Sequence, residues 1–258
     1  MKNIEKIKEV LKGAISDKNY VESLFLNGSP VAGTDSEKSD IDFMLLVKNR
    51  QDIKKAINHL RSKFKFKKLE SEYPYHNLEL NYDGRTLDIS IFEKAVMDRF
   101  VRNLYRSKSN FMKFQDFIQH KIVDAVPVHD PKNILDKYRN KISVYPEKIR
   151  KAVFSESLDE LNEIFSMWVE DGFRNKFQFI EFLSKIQKFI FLAIYSNNRK
   201  FCMYPYKRAH KDLLHLKPNI KESMEYLASG LNTQNNIEQK RKILKSIITK
   251  LEKSFKNS

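Results

Sequence analysis

A change of residue pattern near position 94 constrains the fold of this 258-residue chain more than any other feature. Before it, segments with apolar residues at helical spacing alternate with short extended apolar runs, such as 21–26 and 41–47. After it, apolar residues recur almost only at helical spacing, apart from one extended piece at 126–128. We therefore predict an α+β fold, with a mixed sheet flanked by helices over residues 1–130 and an all-α helical bundle over 131–258.

Local signals place several elements within this plan. Asp83-Gly84 lies between two alternating segments and predicts a β-hairpin. In the second half we predict a helix over 134–154, a new helix that starts at the capping-box-like Ser157-Leu158-Asp159-Glu160, an apolar helix over 177–195 and a last helix over 237–255.

Composition excludes some classes of protein. The single cysteine, Cys202, rules out an intrachain disulfide, and we expect it to be a buried structural residue. No run of apolar residues is long enough to span a membrane, and the N-terminus has no apolar block of the signal-peptide kind, so we expect a cytoplasmic protein with no membrane contact. The formal net charge of +15 suits a site that holds a triphosphate, although a general lysine bias gives the same total.

Gly28 and Ser29 directly follow the first extended run. Glycine allows a ligand to approach the backbone closely, and the serine hydroxyl adds a hydrogen-bond donor to the amides of the following turn. The pair predicts a phosphate-binding turn.

Three aspartates are the candidate metal ligands and catalytic residues. Asp40 and Asp42 are two positions apart, a spacing that directs both side chains to one face of a strand. Asp88 alternates with Leu87 and Ile89, so it points away from the apolar face of the second hairpin strand. Carboxylates so close together repel each other unless a cation lies between them, and Mg²⁺ prefers such oxygen ligands. We predict that Asp40, Asp42 and Asp88 bind one or two Mg²⁺ ions.

These elements together resemble the nucleotidyltransferase superfamily of the DNA polymerase β type, whose signature is an apolar strand, Gly-Ser, a loop, Asp-apolar-Asp and a later third acidic residue. The resemblance covers residues 20 to 95 and implies Mg²⁺-dependent transfer of a nucleoside monophosphate, with Gly28 and Ser29 at the β- and γ-phosphates. In relatives the third acid is often a glutamate that acts as general base. Asp88 is shorter by one methylene, so its role as base or only as metal ligand stays open, and Glu93 is the second candidate for the base.

The size and domain order are similar to those of the bacterial antibiotic nucleotidyltransferases that modify aminoglycosides and lincosamides. This resemblance implies that the domain 131–258 closes over the nucleotide and the acceptor. The segment 199–208 resembles the loop with which streptomycin and spectinomycin adenylyltransferases present a lysine to the triphosphate, which assigns nucleotide binding to Lys207. Lys188, together with Lys185, is a further candidate for binding the triphosphate. Alternatively, both are surface lysines whose aliphatic stems are buried while their ammonium groups stay in solvent.

The predicted reaction transfers AMP from ATP, or a monophosphate from another nucleoside triphosphate, to a hydroxyl of a small molecule such as an aminoglycoside or a lincosamide. Acidic residues between Glu156 and Asp171 suit a cationic acceptor, although acids near a helix N-terminus also follow from the helix dipole. Two alternatives stay open: an RNA (tRNA) or protein acceptor, as in a toxin-like enzyme, and a non-catalytic nucleotide-binding regulator. The acceptor, the preferred nucleotide and the choice between monomer and homodimer are left undecided.

Overall fold

The computed structural model describes residues 2–32, 39–72, 75–171, 176–202, 215–228 and 234–256. Its helices are α1 (Lys2–Ile15), α2 (Gly28–Ala32), α3 (Arg50–Lys63), α4 (Lys94–Asn103), α5 (Lys108–Ile118), α6 (Ile134–Ile142), α7 (Glu147–Asp171), α8 (Lys176–Asn197), α9 (Lys221–Ala228) and α10 (Gln234–Lys256). Its strands are β1 (Val21–Leu26), β2 (Ile41–Val47), β3 (Lys65–Glu72), β4 (Tyr75–Tyr82), β5 (Arg85–Glu93) and β6 (Val126–His129), and a π-helical turn occupies Gln119–Val123.

The six strands form one mixed sheet in the order β3-β4-β5-β2-β1-β6. All neighbouring strands are antiparallel except β2 and β5, which run parallel at the centre. Helices flank this sheet, and the described part of the chain beyond residue 145 contains helices and no strand. The predicted α+β fold is therefore confirmed.

One face of the sheet is the main apolar core. Alternate residues of β2 and β5 point to this face, where they pack against the apolar stripes of α1 and α3. Full burial of each such side chain stabilises the fold by roughly 1.5–3 kcal/mol. The core residues from the two helices are Ile7, Leu11, Ile15, Ile53, Ala56, Ile57 and Leu60. The opposite face of β2 and β5 is mixed: it carries the polar residues Asp42, Asp88 and Ser90 near the start of the strands and the buried apolar residues Met44, Leu46 and Phe92 further along.

The predicted hairpin at Asp83-Gly84 is confirmed. Both turn residues have positive φ, 52° for Asp83 and 78° for Gly84, as a two-residue type I′ turn requires. The turn pairs Tyr82 with Arg85 and so sets the register of the whole β4–β5 ladder. β3 was not predicted from the sequence, because this edge strand, KFKKLESE, is mostly charged and lacks an apolar alternation.

The chain divides into two compact units, residues 1–106 with 117–144, and residues 107–116 with 145–258. The predicted boundary at residue 130 therefore falls inside the first unit. The side chains of α6 explain why that helix stays with the sheet: the Tyr138 hydroxyl donates a hydrogen bond to Asp98 of α4 at 2.9 Å, and the Arg139 guanidinium donates to the carbonyl oxygens of Ile122 and Val123 at 3.2 and 3.1 Å.

The second unit corrects two predicted helix boundaries. The predicted helix 134–154 is interrupted between α6 and α7, and α7 begins directly after Pro146, whose carbonyl accepts hydrogen bonds from the Ile149 and Arg150 amides. The predicted new helix at Ser157 is wrong, since Ser157 lies inside α7 and its hydroxyl donates to the carbonyl of Val153 at 2.7 Å. The predicted helices over 177–195 and 237–255 are confirmed as α8 and α10.

Cys202 is buried, and as the single cysteine it forms no intrachain disulfide. Its amide donates a hydrogen bond to the side-chain oxygen of Gln115 at 3.2 Å within the second unit. Across the described ranges, no helix combines the length and the apolar character that a membrane span needs.

Gly13 and Gly84 both have open space where a Cβ would stand, but their backbones differ. Because Gly84 has a φ of +78°, we expect Gly84→Ala to lower the free energy of unfolding by roughly 1–2 kcal/mol. Gly13 lies within α1, where alanine is the better helix former, so Gly13→Ala should raise that free energy by roughly 0.5–1 kcal/mol. Urea denaturation of both variants measures the two changes, and changes of the same sign would contradict this assignment.

Candidate active site

The parallel pairing of β2 and β5 places Asp42 directly opposite Asp88. Neighbouring strands are about 4.8 Å apart, and residues opposite one another project from the same face. Both aspartates are partly buried, and the Asp42 charge acts on Asp88 strongly enough to shift its pKa. Two acidic side chains far apart in the sequence thus form one pair on the face of the sheet that is turned away from α1 and α3.

Glu79 extends this pair to a row of three acidic residues. On β4 it lies opposite Asp88, and its side chain also forms an ion pair with Lys67 at 3.8 Å. Sequence reasoning missed Glu79, although a signal was present. A two-residue turn at Asp83-Gly84 pairs position 82 with 85, and counting back along both strands pairs 79 with 88.

The Asp88 carboxyl is only partly compensated by its neighbours. Burial raises its pKa above the usual value, and the Asp42 charge adds to this effect. A hydrogen bond with Asn77 and the charge of Lys121 lower the pKa in part. The Oδ1 atom of Asp88 is buried and has no hydrogen-bond partner among the described residues. Such an oxygen is suited to bind a cation or to accept a proton from a substrate.

Lys121 was not identified from the sequence, and it approaches this face from the π-helical turn. Its Nζ donates a hydrogen bond to Ser90 Oγ at 3.2 Å, and Ser90 in turn donates to Asn77 Oδ1 at 3.2 Å. Burial lowers the pKa of Lys121, while the charges of Asp42 and Asp88 raise it. Lys121, Ser90 and Asn77 therefore form a polar network that leads to Asp88.

Two side chains hold the π-helical turn in place. Asn27 Nδ2 donates to the carbonyl of His120 at 3.0 Å, and its backbone amide donates to the carbonyl of Asp42 at 2.8 Å. On the other side Arg139 donates to the carbonyls of Ile122, Val123 and Ala125. π-Helical turns interrupt regular helices and occur often at functional sites. No local sequence pattern marks this turn, which is why Lys121 was missed.

Gly28 lies against the Asp42 carboxylate. Its φ is +74°, and a Cβ added there would stand 1.9 Å from Asp42 Oδ2. A side chain at this position is therefore disfavoured by the backbone conformation and requires the Asp42 carboxylate to move. Ser29 follows in the first turn of α2, and its side chain lies outside what the structure describes. The glycine predicted to bind phosphate and the aspartate predicted to bind the metal thus meet at one point.

Asp40 lies one residue before β2 and is exposed. The carbonyl of the preceding residue, Ser39, accepts a hydrogen bond from Arg85 at 2.9 Å. Among the residues that the structure describes, no group of three His, Cys, Asp or Glu side chains is arranged to hold a metal ion. The structure brings Asp42 and Asp88 together and leaves Asp40 at the strand entrance, so three-aspartate coordination stays a prediction.

The other sequence candidates lie elsewhere. Glu93 ends β5 opposite Val47, five residues or about 16 Å along the strand from Asp88. Lys188 is an exposed residue of α8 and, with Lys185, lines a cavity of about 380 Å³ within the second unit. Lys207 lies outside the described residues. Nucleotide binding by Lys188 and Lys207 therefore stays a prediction.

We expect Gly28→Ala to destabilise the protein more than Gly84→Ala does. The two glycines have nearly equal φ, +74° and +78°, but only Gly28 has the Asp42 carboxylate where the methyl group would stand. The difference between the losses in free energy of unfolding of Gly28→Ala and Gly84→Ala measures the steric clash between the new methyl group and Asp42. Combining Gly28→Ala with Asp42→Ala should recover part of this difference, and strictly additive effects of the two substitutions would contradict the contact.

The raised pKa of Asp88 predicts a pH-dependent stability. Its contribution to stability is fully present below the unfolded-state pKa near 3.8 and is lost as pH rises through the higher folded-state pKa. An asparagine side chain cannot ionise, so Asp88→Asn should be more stable than wild type at pH 7, and the difference should shrink toward pH 4. Thermal denaturation in EDTA across this range measures the effect. The exposed Asp17→Asn is the control, and an equal gain in that variant would refute the assignment.

Comparison with known proteins supports this interpretation of the first unit. Residues 7–114 match the family described as nucleotidyltransferase domain. No curated protein matches the sequence. The matched segment contains Gly28, Ser29, Asp40, Asp42 and Asp88, and Lys121 follows shortly after it.

Solved structures with some likeness include a nucleotidyltransferase-like protein from Exiguobacterium sibiricum 255-15, with 8% identity over 98% of this chain and 75% of that chain and a TM-score of 0.43. Spectinomycin adenyltransferase AAD(9) from Enterococcus faecialis, solved with ATP and spectinomycin, has 13% identity over 97% of this chain and 98% of that chain, with a TM-score of 0.37. A CCA-adding enzyme in complex with ATP has 13% identity over 98% of this chain and 71% of that chain, with a TM-score of 0.34. These likenesses are too distant to assign a substrate. The family match is confined to residues 7–114, the segment that holds the predicted motif.

Proposed function

We propose that this protein transfers AMP from ATP to a hydroxyl group of a small molecule and releases pyrophosphate. The observation that carries the proposal is the Asp42–Asp88 pair with Gly28 against the Asp42 carboxylate. A site for this chemistry needs carboxylate oxygens that bind a divalent cation. Beside them it needs a residue without a side chain, so that the phosphates can approach the backbone. The segment that matches the nucleotidyltransferase domain family contains Gly28, Asp42 and Asp88.

The residues present fit Mg²⁺. Asp42 and Asp88 would hold the ion, with Asp40 as the predicted further ligand, and the buried Oδ1 of Asp88 is an acceptor that lacks a partner among the described residues. Bound Mg²⁺ would neutralise charge on the triphosphate and on the attacking oxygen. The roles of the protein residues follow from their positions: Gly28 admits the phosphates to the backbone, and Ser29 is assigned to the β- and γ-phosphates.

Asp88 also suits the transfer of a proton. Its raised pKa makes the carboxyl a better proton acceptor than an ordinary aspartate, and general bases work best with a pKa near the operating pH. Asn77 orients the group through its hydrogen bond. Asp88 thus either binds the cation or takes the proton of the acceptor hydroxyl. The pH dependence of the rate at limiting and at saturating Mg²⁺ distinguishes these roles, because Mg²⁺ competes with the proton only if Asp88 binds the ion.

The acceptor proposed is an aminoglycoside or a lincosamide. The net charge disfavours cationic ligands in general, so an acidic surface is needed to hold an aminoglycoside. In the second unit α7 carries exposed acids, Asp159 and Glu163, on a surface that suits such a ligand. Trp168 of the same helix is 2% exposed and packs inside the unit, so it is not assigned to the acceptor. Lys188 and Lys207 are proposed to contact the triphosphate.

Incubation with labelled ATP, GTP, CTP or UTP and Mg²⁺, together with a panel of aminoglycosides, lincosamides and tRNA, tests this function. We expect pyrophosphate release that depends on ATP and on one class of small acceptor, and that EDTA abolishes. Asp42→Asn should lower the rate at least about 100-fold, because the site loses a charged ligand at the reacting phosphate.

Asp17→Asn is the matched control, since it removes the same charge from an exposed residue after α1. Its rate should equal that of wild type. Equal pyrophosphate release by wild type and Asp42→Asn would overturn the proposed function, and turnover of tRNA alone would overturn the small-molecule acceptor.

A further inference from the structure

We propose that Ser90 is a positioning residue of this active site, which keeps one oxygen of Asp88 open for a divalent cation. Its hydroxyl does so in two ways: it holds the Lys121 ammonium off the carboxylates, and it fixes the orientation of the Asn77 side chain that bonds to Asp88. The inference rests on the nucleotidyl transfer proposed above and concerns how that site presents its metal ligand. Ser90 lies outside the Gly-Ser and Asp-apolar-Asp motif.

The register of the sheet places Ser90 where it acts on Asp88 through a neighbour. Ser90 and Asp88 are two residues apart on β5 and therefore project from the same face. Asn77 of β4 lies directly opposite Ser90, which makes it a diagonal neighbour of Asp88. Its side chain accepts a hydrogen bond from Ser90 Oγ at 3.2 Å and also bonds to the Asp88 carboxyl. Asn77 thus connects the serine to the carboxylate.

The direction of the hydrogen bonds determines how Asn77 faces Asp88. An ammonium can only donate, so Lys121 Nζ, 3.2 Å from Ser90 Oγ, uses the serine as an acceptor. The serine proton is then left for Asn77 Oδ1. With its oxygen bonded in this way, the Asn77 amide turns its NH₂ group to Asp88, and this bond lowers the pKa of the carboxyl, as a donor to the charged form does. A reversed amide would set its oxygen against the carboxylate.

The same chain of bonds leaves Asp88 Oδ1 open. This oxygen is buried and has no hydrogen-bond partner among the described residues, so Asn77 bonds to the other oxygen. Lys121 is a cation that could fill the place, since its charge acts on both Asp42 and Asp88. Its Nζ instead bonds to the Ser90 hydroxyl. Removal of that hydroxyl would free the ammonium to pair with the acids and to compete there with a divalent cation.

Ser90 bonds to both of the groups that offset the negative charge of Asp88. Burial and the neighbouring acids raise the pKa of the Asp88 carboxyl, whereas Asn77 and Lys121 lower it. Ser90 is itself buried, so bulk water does not readily replace its hydroxyl for these two partners. One small neutral side chain therefore controls both a hydrogen bond and a charge at the site.

The experiment measures the Mn²⁺ dissociation constant of the full chain in complex with α,β-methylene ATP, by electron paramagnetic resonance of free and bound Mn²⁺. Threonine and valine have nearly the same shape, but only threonine keeps the hydroxyl. Ser90→Val should weaken Mn²⁺ binding at least about tenfold, as is typical when a residue that supports a metal ligand is lost, while Ser90→Thr should stay close to wild type. Ser90→Ala removes the hydroxyl without added bulk and should also weaken binding.

Lys121→Met tests whether the hydroxyl holds the ammonium away from the acids. If it does, Lys121→Met should tighten Mn²⁺ binding more in the Ser90→Val background than in the wild-type background, because only there is the ammonium free to compete. Strictly additive effects of the two substitutions would overturn this holding role.

Ser196→Ala is the matched control, since Ser196 is also buried and its hydroxyl donates to the Ala193 carbonyl at 3.0 Å within α8. It should bind Mn²⁺ as wild type does, and thermal denaturation verifies that each variant folds. Wild-type Mn²⁺ affinity in Ser90→Ala, or binding as weak in Ser90→Thr as in Ser90→Val, would overturn the role of Ser90 and leave nucleotidyl transfer standing. A wild-type protein that binds no Mn²⁺ and nucleotide would overturn both proposals.

Discussion

The parallel pairing of β2 with β5 is the constraint on which the candidate site depends. It sets Asp42 beside Asp88 and, through the β4–β5 hairpin, Glu79 beside Asp88 on the other side. The opposite face of the same strands is apolar and packs on α1 and α3, so a shift of one residue in either strand would turn the acidic side chains into this core. The hydrophobic effect that stabilises the sheet thus also fixes the position of the carboxylates.

Neighbouring acids in a partly buried site cost stability, and the structure offsets that cost only in part. Asn77 bonds to Asp88, and Lys121 adds a positive charge through its place beside Ser90. One Asp88 oxygen is buried without a hydrogen-bond partner among the described residues. An uncompensated polar atom is rare in folded proteins, and where it occurs in an acidic cluster it fits a site that is completed by a ligand.

Local patterns were reliable where one residue type decides the geometry. The Asp83-Gly84 turn, the apolar strand β2 and the apolar helix α8 were all predicted. A turn with positive φ favours particular residue types, and a buried strand or helix requires a recognisable run of apolar residues. The prediction failed at Ser157, where a cap-like sequence lies inside a long helix. It also failed at β3, whose charged residues show no alternation because an edge strand buries little of its surface.

The sequence by itself determined the strand faces, the need for glycine at position 28 as a close-approach residue, and the hairpin register that sets Glu79 opposite Asp88. Only the tertiary structure decided that β5 lies beside β2, since strands separated by a helix and two further strands carry no local signal of their pairing. It also decided that Lys121 reaches the acids. That approach depends on a π-helical turn held by Asn27 and Arg139, two side chains distant in sequence, and contacts between distant residues form through packing and not through local propensity.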